Sequence, residues 1–127
     1  MKKKDITILL VDDEQDIHEI VGYNLEQEGY QIITASDGKE AVAKAKKHLP
    51  QLIIMDVMMP EMDGMEACEN IRKLPELSNV IITFLTARSE DYSQVAGFDA
   101  GADDYITKPI IQSDLEKMLS KWLKNQY

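Results

Sequence analysis

The segment Ile6–Glu14 reads ITILLVDDE, an apolar, β-branched run that ends abruptly in Asp12, Asp13 and Glu14. The run is too short for a helix of its own and has the composition of a buried strand. A strand that is apolar on both faces belongs in a parallel sheet covered by helices. Asp12 and Asp13 then stand where that strand leaves the sheet. A second run, Leu52–Met55, does the same and ends in Asp56. Two buried strands that deliver carboxylates to one edge point to a cation site.

Outward from these strands, the hydrophobic period alternates between strand and helix. Ile17, Ile20, Val21 and Leu25 recur at helical spacing, and Gly29 stops that helix. Tyr30–Ser36 reads as a second, more polar strand, which places it at a sheet edge. Ser36 or Asp37 caps the next helix. Its inner face is Ala41, Val42, Ala45 and Leu49, with Lys39, Lys44, Lys46 and Lys47 around the other side and Pro50 as the stop. After Leu52–Asp56 comes the loop Val57–Gly64, VMMPEMDG, with Pro60 and Gly64 as turn residues. Helical spacing returns at Ala67, Cys68, Ile71 and Leu74, and Val80–Leu85 is a fourth strand ending in Thr86. A weaker helical pattern holds Val95, Ala96 and Ala100 but also Gly97. Asp104–Thr107 is a short fifth strand ending in Lys108 and Pro109. Leu115, Met118, Leu119, Trp122 and Leu123 make the last helical stripe. Cys68, Trp122 and the methionines within helices read as core. His18 and His48 are not spaced as a metal-binding pair, and His48 falls on a solvated face.

Strands alternating with helices predict an α/β fold: a doubly wound, five-stranded parallel sheet in a flavodoxin-like three-layer sandwich. Right-handed crossovers and polar edge strands favour the order 2-1-3-4-5. The winding then reverses between the first and third strands, where ligands of open α/β sheets bind. Asp12, Asp13 and Asp56 meet there by topology. Thr86 and Lys108 arrive from the next two strands.

Composition fits one globular domain over residues 1–127, with 44% hydrophobic and 29% charged residues. That length buries a core without disulfides. The net charge of −9 argues against direct nucleic-acid binding, because phosphate neutralisation supplies most of that affinity. The single cysteine, Cys68, excludes an intramolecular disulfide and fits a reducing, cytoplasmic setting. No run approaches the ~18 apolar residues of a membrane span. MKKK is followed by Asp5 rather than by an apolar signal region. There is no internal repeat, low-complexity segment or interdomain linker.

Three carboxylates at one strand edge repel. Two of them about 5 Å apart cost roughly 3 kcal/mol at an effective dielectric of about 20. A divalent cation removes this cost. Few, all-oxygen ligands favour Mg²⁺, which keeps waters and shares its remaining positions with a phosphoryl group. Lys108 adds a point charge and Thr86 a hydroxyl donor. Together they meet the electrostatic needs of phosphoryl transfer. A carboxylate that is itself the nucleophile gives an acyl phosphate. Each part alone has a plainer reading: Asp12 and Asp13 as a helix N-cap, Asp56 as a turn residue, Lys108 and Pro109 as a strand end. The specificity lies in their combination, at these strand ends and in this order.

The motifs LLVDDE, LIIMDVMMPEMDG, FLTA and GADDYITKP, in order and with their spacing, resemble the receiver domain of two-component response regulators over the whole chain. The resemblance implies that Asp56 takes a phosphoryl group from the phosphohistidine of a sensor histidine kinase. It implies Mg²⁺, with Mn²⁺ as a substitute, on Asp13, Asp56 and the backbone carbonyl of Met58, while Asp12 acts mainly through a metal-bound water. Lys108 resembles the phosphoryl-binding lysine, followed by a proline that in this family usually has a cis peptide bond. Thr86 and Tyr105 resemble the switch pair that alters the face built by the fourth helix, fifth strand and last helix. That face would signal to an output domain or partner protein, or to a second phosphorylated copy. Met58 and Arg88 stand where the family modulates the lifetime of the phosphoryl group. No membrane contact is implied.

AGADDYITKP resembles receivers that precede a winged-helix DNA-binding domain, but the arginine which that subfamily usually carries in the last helix is Met118 here. LEKMLSKWL resembles instead the ends of receivers fused to hybrid histidine kinases. The chain therefore reads as a stand-alone receiver or a domain cut from something longer. Two other functions compete. A Mg²⁺-dependent phosphatase with an aspartyl nucleophile usually carries a general-acid aspartate two residues on, and Met58 cannot transfer a proton. A flavodoxin-like flavin carrier needs backbone and hydroxyl donors after the first strand, where Asp12, Asp13 and Glu14 would repel the flavin phosphate.

Overall fold

The apolar runs form five strands: β1 (Thr7–Val11), β2 (Gln31–Ala35), β3 (Leu52–Asp56), β4 (Ile81–Thr86) and β5 (Asp104–Thr107). They pair in parallel in the expected order, β2-β1-β3-β4-β5. The structure is a computed structural model and describes residues 2–57, 59, 62–86 and 101–124. Helices among the described residues are α1 (Gln15–Gln27), α2 (Gly38–His48), α3 (Gly64–Arg72) and α4 (Gln112–Leu119). A π-helical turn, Ser120–Lys124, continues α4. Met58, Arg88 and the helix expected around Val95 to Ala100 lie outside the described residues.

Alternation along the strands divides the core in two. Leu9, Val11, Ile53, Met55, Ile82 and Phe84 face α2 and α3, meeting Ala41, Ala45, Ala67, Cys68 and Ile71. Ile8, Leu10, Leu52, Ile54 and Leu85 face α1 and α4, meeting Val21, Leu25, Leu115, Met118 and Leu119. Both faces of the sheet are covered, which is why β1, β3 and β4 are apolar at successive positions.

Two expected core residues are not core. Ile20 is 63% exposed and Leu49 is 45% exposed. α1 turns Val21, Gly22 and Leu25 to the sheet. Ile20 falls outside that arc and, with Ile17, Val21, Pro109 and Ile110, lines an open apolar groove beside Lys108. α2 ends a residue early, at His48. Leu49 is its C-cap, in the left-handed region at φ 48°, which swings the side chain off the helix face before Pro50. Trp122 is half-buried, and its Nε1 donates to Asp104 Oδ2 at 2.8 Å. Cys68 is fully buried. Desolvation, aided by Asp103 and Glu69 and opposed by Arg72, pushes its thiol up to about 11, so it stays protonated and unreactive at neutral pH.

Candidate functional site

Strand register builds the site. Val11 of β1 pairs with Met55 of β3, so Asp12 and Asp56 stand level at the carboxyl edge. Asp56 pairs with Leu85, which leaves Thr86 one step further along β4. Thr86 pairs with Thr107, so Lys108 follows just beyond. Backbone bonds hold these exits in place: Asp12 N donates to Ala35 O at 3.1 Å, Val57 N to Leu85 O at 3.1 Å, and Lys108 N to Thr86 O at 2.6 Å. The Lys108–Pro109 peptide is cis.

Asp12 is 0% exposed and Asp56 7%. Asp13 is exposed, and oxygens of all three carboxylates lie within 4.8 Å of one another. Asp12 Oδ1 accepts from Glu14 N at 2.9 Å. This bond resembles a cap, yet the N-cap of α1 is Glu14, whose own side chain makes no capping bond. Lys108 Nζ donates to Asp56 Oδ2 at 3.2 Å and stands 2.9 Å from Asp12 Oδ2 and 3.9 Å from Glu14. Burial works against the Lys108 charge, but the paired Asp12 and Asp56 more than offset it, and its pKa is raised. Among the described residues, one lysine faces the three carboxylates.

Two buried polar atoms at this edge have no hydrogen-bond partner among the described residues: Asp12 Oδ2, which has only the charge contact with Lys108, and Thr86 Oγ1. Such atoms are uncommon unless a ligand completes them. An all-oxygen, negatively charged donor set with room for a phosphoryl oxygen beside a hydroxyl and an ammonium fits Mg²⁺. Tyr105 is half-buried and packs against the core cluster that contains Phe84.

Sequence reasoning missed the backbone contacts that shape the Asp56 loop. Gly64 N donates to Val57 O at 2.9 Å. A side chain at Gly64 would overlap the Asp56 carbonyl oxygen. Asp63 Oδ1 caps α3 through Glu66 N at 2.9 Å. The DG pair before a helical run was the signal for this turn. Arg72 was also missed. Its guanidinium binds Gly101 O at 2.9 and 2.8 Å and Asp103 Oδ2 at 2.8 Å, which fastens α3 to the start of β5. Nothing in the local pattern at Arg72 announces that long-range role.

A sequence model for the response regulator receiver domain matches residues 8–120. The chain belongs to this family. The receiver is 48% identical over 109 residues to the alkaline phosphatase synthesis transcriptional regulatory protein PhoP of Bacillus subtilis, covering 86% of this chain and 43% of that protein. It is 40% identical over 124 residues to the probable transcriptional regulator ycf27 of Pyropia yezoensis, covering 98% and 50%. The chain thus spans about half the length of the curated relatives it matches. Among solved structures, the chemotaxis protein CheY4 of Vibrio cholerae superposes with a TM-score of 0.89 at 35% identity, covering 93% of this chain and 98% of that one. The receiver domain of the sensor histidine kinase PA1611 from Pseudomonas aeruginosa gives 0.87 at 30% identity, covering 94% and 98%; in that protein a magnesium ion is coordinated in the active-site cleft. The acidic pocket of Asp12, Asp13 and Asp56 fits the phospho-acceptor and Mg²⁺ site of a receiver. No described helix is long and apolar enough to cross a membrane.

Proposed function

We propose that Asp56 is the phospho-acceptor of this receiver and that a sensor histidine kinase supplies the phosphoryl group. The observation that carries this is the Asp56 carboxylate at the sheet edge, bonded to Lys108 at 3.2 Å and sharing a 4.8 Å cluster with Asp12 and Asp13. An Asp56 oxygen attacks phosphorus, the P–O bond forms as the P–N bond to the kinase imidazole breaks, and an acyl phosphate results. Mg²⁺, or Mn²⁺ with similar oxygen ligands, supplies positive charge against the phosphoryl oxygens. Asp13, Asp56 and the backbone carbonyl of Met58 would hold it directly, and Asp12 would hold it through a water. Lys108 moves its ammonium from Asp56 to a phosphoryl oxygen, and Thr86 gives its unpaired hydroxyl to another. With acetyl phosphate and Mg²⁺, wild type should gain one phosphoryl group by mass. Asp56→Asn and wild type in EDTA should gain none. Labelling of either would overturn the assignment.

The bond to Thr86 exists only in the phosphorylated state, so it shifts the population towards a conformer in which Tyr105 turns inward. The readout is the face made by β5, α4 and the expected helix before β5. An output domain, a partner protein or a second phosphorylated copy reads that face; the domain itself, at net charge −9, does not bind DNA. We place it in the cytoplasm, as one receiver over residues 1–127. Amide shifts on adding beryllofluoride should reach Tyr105 and α4. Shifts confined to the Asp56 loop would sink the switch.

Turnover is limited to the domain's own phosphoryl group. Met58 has no strong donor or acceptor to orient a water, and Arg88 is the second sequence position at which receivers modulate this lifetime. Met58→Asn should speed dephosphorylation about tenfold, equivalent to a barrier lower by about 1.4 kcal/mol. Equal decay of the two phosphorylated proteins in Mg²⁺ buffer would remove Met58 from this role.

A further inference from the structure

The corner between β2 and α2 gives no side chain to the carboxylate cluster, yet it touches both loops that form it. Ala35 O accepts from Asp12 N at 3.1 Å, and Gly38 N donates to Met62 O at 3.2 Å. Met62 lies on the return of the Asp56 loop towards α3. The corner is braced by reciprocal capping: Asp37 Oδ1 accepts from Glu40 N at 2.8 Å, and Glu40 Oε1 accepts from Ser36 N at 2.6 Å. A Cβ at Gly38 would overlap the Met62 carbonyl oxygen and lie 2.9 Å from both its carbonyl carbon and its Cγ. The need for glycine here is spatial: the backbone of α2 sits directly against the backbone of the acceptor loop. Gly64 closes the loop's other end against Asp56 in the same way.

We propose that Gly38 is a positioning residue for the phosphoryl site. Its lack of a side chain lets the β2–α2 corner set the distance between Asp12 and Asp13 on one loop and Asp56 at the end of β3, where the other loop begins. The inference rests on the reading of these carboxylates as the Mg²⁺ site. A methyl group at Gly38 must push the loop and the helix apart, and shifts of about 1 Å at a reacting centre have large effects.

The test is Mg²⁺ titration of the whole chain followed by amide shifts, with unfolding measured in EDTA alongside. Gly38→Ala should weaken Mg²⁺ binding about tenfold and slow acetyl-phosphate labelling to match. Gly22→Ala puts its Cβ in ordinary contact, 3.8 Å from Leu10 and 3.9 Å from Ile32, and should bind as wild type does. Leu115→Ala removes a buried side chain of α4 from the core cluster on the sheet face opposite α2 and α3; it should lose stability and keep its Mg²⁺ affinity. In wild type, saturating Mg²⁺ should slow exchange of the Gly38 amide several-fold and leave the Gly22 amide unchanged. Wild-type affinity in Gly38→Ala, or an equal loss in Leu115→Ala, would overturn the proposal. If Gly38→Ala does not fold, an unchanged Gly38 exchange rate in wild type would do so. Wild type that binds no Mg²⁺ would overturn the site reading itself, and the inference with it.

Discussion

Asp13→Asn is expected to make the Mg²⁺-free protein more stable by about 1–2 kcal/mol and to weaken Mg²⁺ binding at least tenfold. Oxygens of Asp12, Asp13 and Asp56 lie within 4.8 Å of one another. At an effective dielectric of about 20, a pair of charges at that distance repels by about 3 kcal/mol. Asp13 is exposed, so solvent screening roughly halves this. The amide keeps the shape and loses the charge. Removing a ligand carboxylate therefore relieves the free protein and removes attraction for the ion. Urea unfolding in EDTA and Mg²⁺ titration check the two halves separately. A less stable Asp13→Asn would show that these carboxylates do not strain the empty site.

Lys108→Met should act with the opposite sign. In EDTA at pH 7 it should cost about 3 kcal/mol, because it strands buried charges rather than removing one. Lys108 Nζ lies 2.9 Å from Asp12, which is 0% exposed, and 3.2 Å from Asp56. Methionine retains the packing of the stem but takes away the Lys108 ammonium that faces Asp12 and Asp56. Mg²⁺ should restore part of the loss by mass action. A Lys108→Met protein as stable as wild type in EDTA would contradict this balance of charge.

Sheet order and site edge were legible in the sequence because their cause is local. Six residues from Ile6 to Val11 and four from Leu52 to Met55 are apolar enough to declare buried strands, and the carboxylates that follow them declare an edge. Strand alternation then placed Thr86 and Lys108 without any contact being known. Ile20 and Leu49 misled because helical spacing gives a stripe but not its centre or its last residue. Val21 and Leu25 set the buried arc of α1, and Pro50 drew Leu49 into a cap. Gly38 and Arg72 were beyond local pattern altogether, and Gly64 was legible only as a turn residue. Their roles arise from backbone carbonyls that only the folded chain brings near: Met62, Asp56 and Gly101.

The most direct test is to find the phosphorylated atom. After reaction with acetyl phosphate and Mg²⁺, borohydride reduces an aspartyl phosphate to homoserine, which peptide mapping by mass spectrometry locates. The conversion should appear at Asp56 alone and disappear when EDTA replaces Mg²⁺. Conversion at Asp12 or Asp13, or a phosphoryl group that survives borohydride on a hydroxyl or imidazole side chain, would contradict the assignment of Asp56 as the acceptor.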